Sequence, residues 1–140
     1  MTENDEYDNN TVDETATDIQ QNQDDYNLDL LTFRDIGDQA HWMLSSRKMG
    51  FGVENLRDDQ VETFWQSDGN QPHLINIMFS RKTSVYALAV YLDYRQDESY
   101  TPQKILIRAG YTYHDLQDVC QKELNEPCGW TLFPLSDDEQ

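Results

Sequence analysis

The side chains of this 140-residue chain best suited to metal ligation or nucleophilic chemistry are His41, His73, His114, Cys120 and Cys128. Their spacing suits neither. The histidines lie far apart, and none stands at ligand-like spacing from a second one. Cys120, Cys128 and His114 match no standard zinc pattern, and two isolated cysteines of this kind read as plain core or surface residues. There is no G-x-S-x-G elbow, P-loop or H-E-x-x-H. Adjacent carboxylates such as Asp58-Asp59 and Asp97-Glu98 are abundant. In so acidic a chain they say nothing about acid–base catalysis unless a pKa is perturbed. No catalytic residue, metal ligand or cofactor is expected, and the chain does not read as an enzyme.

The aromatic residues permit two chemistries. Trp42, Trp65 and Trp130, with eight tyrosines, have ring faces that could stack on sugars. They are equally the large apolar groups that fill the core of a small sandwich. Trp65 and Trp130, beside turns and among strand formers, favour the core reading.

Charge narrows the choice of partner. The chain carries 27 acidic and 10 basic residues, a net charge of −17. Nucleic-acid phosphate and anionic membrane both demand a basic footprint, so neither is expected as a partner. No stretch approaches the roughly 20 apolar residues of a membrane span. Met1 is followed by Thr2-Glu3-Asn4-Asp5, so no secretory signal is expected. With only two cysteines, a reduced compartment, nucleus or cytoplasm, is the simplest setting. Residues 1–32 hold ten carboxylates and no Lys or Arg. That segment is too polar to offset its ordering entropy and reads as an acidic disordered tail, either a solvated appendage or a regulatory arm.

From Phe33 the texture becomes short apolar runs between turns. Ala40–Leu44, His73–Phe79, Ser84–Leu92, Lys104–Arg108 and Trp130–Leu135 read as strands, with Ile75, Ile77 and Phe79 sharing one face. Ser84–Leu92 is apolar on both faces, as a central strand would be, and Pro134 suits an edge or bulge. Turns are marked at Gly50-Phe51-Gly52, Ser67-Asp68-Gly69-Asn70, Thr101-Pro102 and Glu126-Pro127. A short helical turn is expected around Val53–Arg57. Leu116, Val119, Cys120 and Leu124, following a possible N-cap at Asp115, have helical spacing, although Val119–Leu124 is short enough for a strand. About six strands in 33–140 indicate an all-β sandwich, two short of a jelly roll.

From Ile36 onward the chain resembles the DOC-domain subunit, the tenth, of the anaphase-promoting complex. The resemblance rests on ordered blocks: Ile36-Gly37, Gln39-Ala40, Trp42, Leu44-Ser45-Ser46 and Gly50-Phe51-Gly52-Val53. It continues through Leu56-Arg57-Asp58-Asp59, Glu62-Thr63, Trp65-Gln66-Ser67-Asp68-Gly69 and Gln71-Pro72-His73. Asp97-Glu98-Ser99-Tyr100-Thr101-Pro102, Glu126-Pro127 and Gly129-Trp130 complete it. Met49 stands where that family usually has proline.

The resemblance implies a jelly-roll β-sandwich of the galactose-binding-like type, with a strand near Val119–Leu124. It implies a non-catalytic co-receptor that grips destruction-box substrates beside a WD40 activator, bound to scaffold and TPR subunits of the ligase. Degron contact then falls on Asp97, Glu98, Ser99, Tyr100 and Thr101, a polar segment that otherwise reads as a solvated connection. Trp42, Trp65, Gly69, His73 and Trp130 become structural motif residues. The family's further C-terminal strands, second polar loop and Ile-Arg tail are not found before Gln140. The DOC domain at 33–140 is therefore expected to be incomplete, and aggregation-prone or molten if expressed alone. The same sandwich also hosts carbohydrate-binding modules, and a truncated remnant without function is a further alternative.

Overall fold

The computed structural model describes residues 34–135, which lie within one compact unit, Arg34–Gln140. The acidic segment 1–32 lies outside the described residues. Six strands dominate: β1 Ala40–Leu44, β2 Ile75–Phe79, β3 Ala87–Asp93, β4 Lys104–Ala109, β5 Gln117–Glu123 and β6 Cys128–Pro134. They pair as three antiparallel ladders, β1–β2, β3–β6 and β4–β5. The fold is all-β, and among the described residues the helical structure is limited to short turns at Val53–Arg57 and Tyr94–Asp97 and single 3-10 turns at Gly37–Gln39 and Glu98–Tyr100.

Alternation decides which face each ladder buries. In β1–β2, Trp42 lies opposite Ile77 and Ala40 opposite Phe79, and all four are half-buried, while His41 and Met78 on the other face are exposed. In β3–β6, Leu88 pairs with Phe133 and Leu92 with Gly129. Phe133 is fully buried and Leu92 is 8% exposed, so this face is the centre of the core. Burying such a side chain contributes about 1.5–3 kcal/mol. Gly129 sits at φ +112°, a backbone setting that a side chain would strain.

Trp130 departs from the core expectation. It faces away from Phe133, at odd separation along β6, and is 47% exposed. Its ring stands edge-on to Tyr91, centroids 5.5 Å apart at 73°, so the pair offers no flat platform for a sugar ring.

The segment with helical spacing is strand β5. In β4–β5, Ile107 pairs with Cys120 but Arg108 pairs with Asp118, which leaves Val119 as an extra residue at a bulge. Arg108 Nε forms an ion pair with Asp118 Oδ1 at 2.9 Å across the irregularity. Asp115 caps no helix; its Oδ1 accepts from Thr112 N–H at 2.7 Å within the β4–β5 connection. Leu116, Val119, Leu106 and Tyr113 are exposed on this hairpin.

Cys120 and Cys128 are free, half-buried thiols. Among the described residues, no group of three His, Cys, Asp or Glu side chains is placed to hold a metal ion, and no helix is long and apolar enough to cross a membrane.

Candidate functional site

The tryptophan blocks act as anchors for the connections around β1. Trp42 Nε1 donates to the Gly37 carbonyl at 2.8 Å, and the Arg57 guanidinium lies 4.4 Å above its ring. Arg57 also bonds Asp38 at 3.1 Å, which ties the helical turn Val53–Arg57 to the start of β1. Trp65 Nε1 donates to the Ser46 carbonyl at 2.9 Å, and Ser46 Oγ accepts from Asp68 N–H at 3.0 Å. A Cβ on Gly69 would come within 3.2 Å of that same Ser46 Oγ. The Trp65–Gly69 block is thus stitched to Ser46. His73, by contrast, is exposed ahead of β2 and belongs to no core.

The Asp97–Thr101 segment grows out of the end of β3. Asp93, 6% exposed, caps the turn Tyr94–Asp97 by accepting from Arg95 N–H at 3.1 Å. The Arg95 Nε bonds the same oxygen at 3.2 Å, and Gln96 Nε2 reaches the other at 3.3 Å. Hydrogen bonding from the Arg95 guanidinium, against the opposing cost of burial, holds the Asp93 carboxyl below its ordinary range. Asp97 is pushed the other way, first by its own burial and then by the Asp93 charge. A cationic partner would relieve that penalty.

Beyond Asp97 the chain turns sharply. Glu98 sits at φ +49°, ψ −121°, a region that side chains rarely adopt. Thr101 N–H then closes the 3-10 turn on the Glu98 carbonyl at 3.1 Å. The turn leaves Ser99 exposed and Tyr100 81% exposed, while Thr101 is pulled inside to 6%. Thr101 Oγ1 is buried with no hydrogen-bond partner among the described residues.

Tyr94 N–H to the Pro127 carbonyl, 2.8 Å, and Leu124 N–H to the Gln103 carbonyl, 2.7 Å, draw the β5–β6 connection alongside. Between the two connections lies an open cleft of about 650 Å³. Glu98, Ser99 and Thr101 line one wall and Glu123, Asn125 and Glu126 the other. Glu126 is also left-handed, at φ +46°. Lys104 is the one basic side chain among the lining residues. The cleft is therefore acidic and rich in hydroxyl and amide acceptors, which suits an extended cationic or amide-bearing segment.

Of the five residues Asp97–Thr101, Asp97 ends the Tyr94–Asp97 turn, Glu98–Tyr100 form the 3-10 turn and Thr101 caps it, and Glu98, Ser99 and Thr101 line the cleft. Of the second wall, 123–127, the sequence marks the Glu126-Pro127 turn alone, and it does not mark the Asp93–Arg95 brace. The signal that could have found the brace is an Asp directly ahead of a helical turn.

The family model described as anaphase-promoting complex, subunit 10 (APC10), matches residues 8–140 of the chain. The chain belongs to the APC10 family. It is 59% identical over 109 residues to the Homo sapiens protein "Anaphase-promoting complex subunit 10", which covers 78% of this chain and 59% of the human one. The Drosophila melanogaster subunit of the same name is 51% identical over 104 residues, 74% of this chain and 53% of its own. The Saccharomyces cerevisiae "Anaphase-promoting complex subunit DOC1" is 36% identical over 101 residues, covering 72% and 40% respectively. The chain thus spans about 59% of the length of the first of these APC10 relatives.

Proposed function

We propose that this chain is a non-catalytic substrate-recognition subunit of an anaphase-promoting complex, working in the nucleus and cytoplasm. It grips destruction-box substrates together with a WD40 activator, while scaffold and TPR subunits of the ligase hold it in place. Family membership supports the assembly. The observation that carries the recognition role is the turn at Asp97–Thr101, braced from beneath by Asp93 and opening onto an acidic cleft. A braced, exposed turn presents polar groups in one arrangement, which lowers the ordering cost of each encounter.

Two weak contacts on one peptide raise apparent affinity by about 10²–10⁴ when both engage together. The gain falls mainly on the off-rate, so a bound substrate stays for more ubiquitin transfers. The role needs no nucleophile, acid–base pair or metal in this subunit.

The test is photo-crosslinking in a reconstituted complex. A photoreactive phenylalanine analogue replaces Tyr100, and the same analogue replaces His41 on the β1–β2 ladder as control. Activator-dependent capture of a destruction-box substrate from position 100 and not from 41 supports the reading. Capture from neither, with assembly intact, refutes it.

A further inference from the structure

The connection between β2 and β3 carries an arrangement that substrate recognition does not use. It runs from Ser80 to Tyr86, with Arg81, Lys82, Thr83, Ser84 and Val85 between, and at its end Leu135 N–H donates to the Tyr86 carbonyl at 2.8 Å. We propose that Ser84 is a phosphorylation site for a protein kinase that selects basic substrates.

Such kinases hold the acceptor segment extended, pair basic side chains upstream with their own carboxylates, and seat an apolar side chain just after the acceptor. Counting from Ser84, Arg81 lies at −3, Lys82 at −2 and Val85 at +1. Guanidinium and ammonium groups at those places are what a carboxylate-lined groove reads. In a chain of net charge −17 with 10 basic residues, an adjacent Arg-Lys pair directly before two hydroxyls is not a consequence of composition.

The structure chooses between the two hydroxyls. Thr83 is half-buried, and its Oγ1 donates to the Arg81 carbonyl at 2.8 Å. Ser84 is exposed, and among the described residues no hydrogen bond engages its hydroxyl. Apart from the Thr83–Arg81 bond, no hydrogen bond among the described residues holds 81–85, and none of the five lies in a helix or strand. The segment can therefore straighten into a kinase groove without breaking a ladder. Arg81 and Lys82 are exposed, and neither pairs with a carboxylate among the described residues. Lys82 Nζ lies 5.6 Å from the centroid of the Tyr111 ring.

In the reaction, Ser84 Oγ attacks the γ-phosphorus of magnesium-bound ATP, which the kinase supplies. The new O–P bond forms as the bond to the β,γ-bridging oxygen breaks, and ADP leaves with that electron pair. The hydroxyl proton passes to the kinase's catalytic carboxylate and on to solvent. The product adds a charge of about −1.5 to −2 beside Arg81 and Lys82. That phosphate competes with the Tyr111 ring for Lys82 and adds a charged contact to the segment 81–85.

The full chain, treated with Mg-ATP and the catalytic subunit of a cyclic-AMP-dependent protein kinase, is mapped by tandem mass spectrometry. Ser84 is expected to be the main phosphorylated residue within 34–135. Ser84→Ala and Arg81→Ala should each lower incorporation there by about tenfold or more, and Thr83→Ala should leave it unchanged. All three replacements touch no ladder, and circular dichroism checks that they fold like the parent. Absence of phosphate on Ser84, transfer to Thr83 instead, or indifference to Arg81→Ala would overturn the assignment.

Discussion

Asp93 and Arg95 form a two-residue brace at the end of β3, in which one carboxylate oxygen accepts both the Arg95 main-chain N–H at 3.1 Å and its Nε at 3.2 Å. The carboxylate is buried, whereas the Arg95 side chain is 66% exposed. The partner most open to water therefore neutralises the one least open to it. Because the brace sits beneath the Asp97–Thr101 turn, damage to it should reach the turn.

Asp93→Ala is expected to cost about 1–3 kcal/mol, since it removes a helix cap and charge-assisted bonds together. Asp93→Asn keeps an acceptor and should cost less. The folded carboxyl is held below its usual range, so its stabilising effect is present at neutral pH and is lost as pH falls through the folded value. Urea unfolding of Asp93→Asn and parent at pH 7 and at pH 3 tests this. The gap between them should narrow at the lower pH.

Glu98→Gly should be a stabilising change with a functional cost. The left-handed setting of Glu98 is expensive for any side chain, and glycine relieves about 1 kcal/mol of it. The same change removes a carboxylate from the cleft wall. Thermal melting should shift upward while destruction-box substrates are ubiquitinated less processively.

Trp65→Phe is expected to destabilise the chain by about 0.5–1.5 kcal/mol through loss of the bond to the Ser46 carbonyl. Phe133→Ala, at the fully buried centre of β3–β6, should cost about 3–5 kcal/mol. Chemical denaturation of the two variants should rank them in that order.

Strands with clean alternation, such as Ala40–Leu44 and Lys104–Arg108, were legible from the residues alone, as was the helical turn at Val53–Arg57. The helical spacing at Leu116–Leu124 misled because a bulge breaks the period of two. With Val119 as the extra residue, Cys120 faces inward and Val119 is 41% exposed. Trp130 misled because size suggested core, whereas its parity relative to Phe133 decides its face. The turn at Asp97–Thr101 could be placed from its blocks, but its setting could not. Burial of Asp93 and Thr101, and the approach of Glu123–Pro127, depend on pairing between β3 and β6 and between β4 and β5, which no local pattern encodes.

The most direct measurement is ubiquitin chain length per encounter in an anaphase-promoting complex reconstituted with this chain or with its Asp97→Ala, Ser99→Ala double variant. The expected result is unchanged assembly of the subunit but fewer ubiquitins per destruction-box substrate and a faster substrate off-rate. Equal processivity and off-rate in the two complexes, with equal assembly, would contradict the placement of substrate recognition on this turn.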